Sequence, residues 1–167
     1  MRIFVLALFL CTFYVTAGAS DGITKFGVVL LQPDVVLKER VPNVNELAEY
    51  IRAIEVAAQS EVVASTQHPK SSGFIVVAVR PGQRTNVWLD FEPPLPSLLE
   101  NAVIAKVKTI QPFQARNGVV IFSLKVGLWG GAEPARVAPF PSAWKAAAQK
   151  AGRSLETGAL VESIWSE

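Results

Sequence analysis

Asp90 and Glu92 are the acidic pair best placed for chemistry. Two residues apart in a β-favouring run, they share one face of a strand, and paired carboxylates there can divide general-acid and general-base roles. They also end that run beside Pro93, where solvent-facing charge at a strand exit accounts for them equally well. His68 is the single imidazole and lies in the polar turn Gln67-His68-Pro69, so any Ser-His-Asp arrangement would have to use it. The only cysteine, Cys11, falls in a leader expected to be removed. Cys-His catalysis and zinc sites of clustered His and Cys are therefore excluded from the remainder. Gly130-Gly131 is followed by neither Lys-Ser nor a G-x-G-x-x-G frame, so no phosphate-cradling loop is present. No cofactor and no metal are expected.

Trp88 and Trp129 offer a different kind of chemistry. Both take strand positions alternate to the apolar ones, together with Lys125 and near Arg80 and Arg84, and exposed aromatic and cationic surface is a binding signature. The alternative is that the N-terminal strand, or a C-terminal helix carrying Trp144, covers that face and turns the tryptophans into a second core.

The elements that must position these residues are legible from period and punctuation. Phe26–Leu31 reads as a buried strand broken by Gln32-Pro33-Asp34, with a short apolar run from Val35 to Leu37 beyond it. Asn43 followed by Glu46 marks a helix start, and Val44, Leu47, Ala48, Ile51, Ile54, Ala58 and Val62 carry the helix toward Thr66. Phe74–Val79 predicts an inner strand, Pro81-Gly82 a type II turn, and Thr85–Phe91 the return strand, with Val87, Leu89 and Phe91 facing the core. Pro96 opens a second helix with Leu98, Leu99, Ala102, Val103, Val107 and Ile110 on its stripe, stopped at Gln111-Pro112. Asn117-Gly118 turns the chain into a long, half-exposed strand from Val119 to Trp129. A third helix spans Ser142 to Lys150, stopped by Gly152, and Leu160, Val161, Ile164 and Trp165 recur at helical spacing.

At the N terminus, Arg2 precedes an apolar run from Ile3 to Val15 and the small residues Ala17-Gly18-Ala19, which reads as a secretory signal peptide cut after Ala19. An uncleaved anchor would want about twenty apolar residues, and lipidation at Cys11 a small residue where Leu10 stands. The 16 basic and 14 acidic residues give +2 without any block of like charge, so neither nucleic-acid binding nor a membrane-surface helix is expected.

The division expected is thus a signal peptide over 1–19, an N-terminal strand segment over 20–41, an α+β core over 42–129, and a Pro/Ala-rich connector with helical extension over 130–167. The core has the order helix-strand-strand-helix-strand in a small antiparallel sheet. From Gly73 to Trp129 that order resembles the C-terminal domain of TonB-type energy transducers, carried by the buried first strand, the Pro81-Gly82 turn, Asn86-Val87-Trp88-Leu89, the amphipathic helix and the long last strand. Val41-Pro42-Asn43 stands where that family has a Tyr-Pro pair. The resemblance implies capture of an extended partner segment along the edge of Val119–Trp129.

The expectation is an exported, periplasmic or secreted, non-enzymatic module that binds an unidentified protein, TonB-like or inhibitor-like. It would act through a sheet edge or through Trp88, Arg84, Lys125 and Trp129, with no stable membrane anchor after cleavage. The alternative is a hydrolase using Asp90 or Glu92 as acid or base.

Overall fold

A computed structural model describes residues 22–165. The signal-peptide reading of 1–19 lies outside the described residues.

Asn43 starts the longest helix by accepting hydrogen bonds from the backbone N–H groups of Asn45 and Glu46, while its amide donates back to the Glu46 carboxylate at 2.9 Å. That reciprocal cap satisfies donors the first helical turn leaves unpaired. The chain runs through β1 (Ile23–Leu30), α1 (Asp34–Arg40), α2 (Val44–Ala64), β2 (Ser71–Arg80), β3 (Arg84–Glu92), α3 (Ser97–Lys108), β4 (Val120–Leu128), α4 (Ser142–Ala151) and α5 (Thr157–Ser163). Gly82 takes φ +81 in the Pro81-Gly82-Gln83 hairpin, the left-handed conformation glycine accepts without strain. The fold is α+β, and the segment over 42–129 keeps the order helix-strand-strand-helix-strand.

The four strands pair antiparallel in the order β1-β4-β2-β3. β4 therefore lies between β1 and β2, and its residues are almost all buried. Expected as a half-exposed strand with a docking edge, β4 instead has both edges paired. The cause is the N-terminal segment, expected as a buried strand and found as the sheet's outer, largely exposed strand. The apolar run after Pro33 is helix α1, which turns Leu37 into the core.

Alternation on the strands builds a core on each face. Val77, Val87, Val120, Phe122, Leu124, Val126 and Leu128 meet Leu47, Tyr50, Ile54, Val62, Leu99, Val103 and Val107 of α2 and α3. On the opposite face Phe74, Val76, Ala78, Val119 and Ile121 meet Trp144 of α4 and Leu160 and Val161 of α5. The sheet is thus the middle of three layers, and the C-terminal helices form the third. Among the described residues no helix is long and apolar enough to cross a membrane.

Candidate functional site

The two tryptophans do not form one surface. Trp88 faces the second core, where its ring lies edge-on to Trp144 with centroids 5.6 Å apart. Trp129 follows the end of β4 with φ +48, which breaks the strand alternation and turns its ring to the other core. There it lies 5.1 Å from the imidazole of His68, whose Nε2 sits 2.7 Å from the Ser65 carbonyl oxygen. Lys125 donates to Glu133 at 2.7 Å, and Arg84 is exposed at the foot of the β2–β3 hairpin. Trp88, Arg84, Lys125 and Trp129 therefore present no shared face. Helix α4, carrying Trp144, covers Trp88, and the positive φ at Trp129 removes the second ring from that side.

The acidic pair is also dispersed. The Asp90 carboxylate accepts from Arg136 at 2.5 Å and from the Phe140 backbone N–H at 2.7 Å, fastening the connector between β4 and α4 across the end of β3. This hydrogen bond holds the Arg136 guanidinium above its ordinary range, against a smaller opposing effect of burial. Glu92 is exposed beside Pro93. Two sizeable grooves occur elsewhere: one of about 750 Å³ between α4 and α5, lined largely by alanines, and one of about 540 Å³ beside Tyr50, Gln83 and Pro112. Neither is lined by Asp90 or Glu92. Among the described residues no three His, Cys, Asp or Glu side chains gather to hold a metal ion.

What the sheet leaves open is an edge, and its two edges differ. On β3 the Val87 N–H is taken by the Asn86 side chain at 3.0 Å, and the Asp90 carbonyl accepts from Arg136 at 3.4 Å. Trp88 is covered by α4 in addition. The outer edge of β1 is blocked only along its first half. There the Ile23 N–H donates to Gln59 at 3.0 Å, Lys25 pairs with Glu55 at 2.6 Å, and the register shifts between Lys25 and Gly27. A bulge and a lysine are the devices that discourage further pairing at a sheet edge.

The second half of β1 has no such device. Leu31 donates its N–H to Ile121 of β4, so Val29 also turns its backbone groups inward, and Val28 and Leu30 turn theirs outward. Among the described residues no strand pairs with that edge. Side chains there are apolar: Val28 is 39% and Leu30 47% exposed.

A cleft between β1 and α2 adjoins this edge. Its floor at one end is Ile75, Leu124 and Val126 in a groove of about 310 Å³, and at the other end Leu37, Val41 and Leu47 line a groove of about 270 Å³. Val56 overhangs the first and Val44 the second, while Val63 borders Gly22 at the start of β1. All three valines are more than 60% exposed. A single apolar strip thus runs from α2 onto the open edge, and few monomer surfaces leave so many large apolar side chains contiguous. Val44 belonged to the expected buried stripe of α2; Val56 and Val63, seven residues apart, form a second stripe that was the available sequence signal.

No family model, curated protein or solved structure matches this chain.

Proposed function

We propose that this chain is an exported, non-enzymatic protein-binding module whose docking element is the second half of β1 with the adjoining β1–α2 cleft. The observation that carries the proposal is the pair of outward-facing backbones at Val28 and Leu30 beside exposed apolar side chains, on the one sheet edge without a local block. An extended segment of another protein laid along this edge would gain main-chain hydrogen bonds from Val28 and Leu30 and set alternate side chains over the two grooves. Strand addition is the mode that the TonB resemblance implies, moved from β4 to β1. The hydrolase alternative has less support, because Asp90 is committed to Arg136 and Phe140.

The test uses a photo-crosslinking residue at position 30 in the full chain within the producing cell. An adduct with a protein is expected at position 30 and not at Leu98, which is as exposed but lies on α3. Val28→Pro removes the outward N–H while leaving the β4-facing groups intact, and should abolish the adduct; proline is tolerated at a strand edge when its nitrogen faces solvent. Adduct formation unchanged by Val28→Pro, in a variant with the wild-type circular dichroism spectrum, refutes strand addition.

A further inference from the structure

The open half of β1 is not merely short and apolar; it is complementary to itself. We infer that the partner seated on this edge is a second copy of the chain, paired antiparallel about a two-fold axis through Val29, so that two four-stranded sheets join into one. This rests on the docking element proposed above and names its occupant.

The register follows from which residues turn their backbones outward. A two-fold axis needs a residue opposite itself, with hydrogen-bonded pairs on either side. Val28 and Leu30 offer N–H and C=O to the open edge and Val29 does not. Placing Val29 opposite Val29 makes each Val28 exchange both backbone hydrogen bonds with Leu30 of the other copy, the alternation an antiparallel ladder requires. Residues directly opposite in such a ladder share a face. Val28 and Leu30, whose partners on β4 are Leu124 and Phe122 of the first core, therefore meet their counterparts on the side of the β1–α2 cleft. The exposed apolar side chains of one copy then cover those of the other.

The boundaries of the open edge fit the same axis. The bulge between Lys25 and Gly27 ends regular pairing on one side, and Pro33, which lacks an N–H, ends it on the other. These two breaks lie at nearly equal distances from Val29. A long partner strand would run into the bulge, whereas a second β1 ends where the first one does. Charge agrees as well. In this register Lys25 of one copy falls opposite Pro33 and beside Asp34 of the other, and both side chains lie on the α2 side of the sheet, where Lys25 reaches Glu55 and Asp34 borders the groove at Leu30. Each copy thus presents a cation where the other presents an anion, on both sides of the axis, and a two-fold interface requires that self-complementarity.

Two measurements on the full chain, with Cys11→Ser as background so that an introduced thiol is the only one, test the inference. Light scattering on the eluting protein should give twice the single-chain mass, and Val28→Pro and, separately, Leu30→Asp should return it to the single-chain value. Under mild oxidation Val29→Cys should form a disulfide-linked pair roughly tenfold faster than Val28→Cys, because only position 29 faces itself at a distance a disulfide spans. A single-chain mass at tens of micromolar, or equal crosslinking at 28 and 29, overturns self-pairing. A single-chain mass together with an adduct from position 30 to a different protein overturns self-pairing alone and leaves the docking element standing. A single-chain mass with no adduct overturns both.

Discussion

Replacing Trp144 measures whether α4 is part of the folded unit or an appendage to it. The side chain is 2% exposed and packs edge-on against Trp88 above the sheet. Burying an indole removes about 200 Å² from water, worth about 5 kcal/mol at 25 cal/mol per Å². Its Nε1 finds no acceptor among the protein groups around it, an opposing cost of about 1–3 kcal/mol. Trp144→Ala should therefore cost about 3 kcal/mol net, a fall of about 10 °C in Tm for a chain of this size. Trp144→Phe should cost about 1 kcal/mol, because it keeps much of the apolar contact and discards the unpaired donor. Urea and thermal denaturation followed by circular dichroism provide both values. A loss below about 1 kcal/mol for Trp144→Ala, or equal losses for Ala and Phe, would refute the three-layer account of the second core.

Asp90→Asn should release the connector at Arg136 and Phe140 and make it a site of limited proteolysis, at about 1–2 kcal/mol of stability since the Arg136 partner is well exposed; unchanged protease resistance would contradict the clamp. Tyr50 is buried and its hydroxyl meets Thr85 at 3.1 Å; burial raises its pKa above the ordinary value of 10.0, with the hydrogen bond opposing. The folded state therefore holds this proton more tightly than the unfolded chain, so the associated stability is full below pH 10 and is lost as pH rises through the folded value. Denaturation midpoints across that alkaline range should fall less steeply for Tyr50→Phe than for the wild type, and equal slopes would show that Tyr50 is not the group responsible.

The elements carried by punctuation and strong periodicity were legible in the sequence. Asn43 and Glu46 marked the start of α2, Pro81-Gly82 the hairpin, Pro96 the start of α3 and Gly152 the end of α4, each through a local backbone requirement that needs no tertiary information. Neighbours in space were not legible. β1 and β4 pair across nearly a hundred residues, and nothing in the spacing of Phe26–Leu31 says whether an apolar strand ends up inside a sheet or along its border. That one unknown inverted two expectations: β4 lost its free edge and β1 acquired it. Gln32 shows the same limit, since a residue that reads as a strand breaker is buried with its side chain joined to Val119 and Ile121. The face of Trp129 was misread for a local reason, because alternation assumes extended backbone and this residue has φ +48.

Residue-resolved amide hydrogen exchange tests the docking element most directly, comparing the chain alone and dilute with the chain in its associated state. The account expects the Val28 and Leu30 amides to exchange freely when dilute and to become protected on association, while the inward Val29 and Leu31 amides stay protected in both. Unchanged exchange at Val28 and Leu30, with new protection confined to β3 or to the α4–α5 groove, would contradict it.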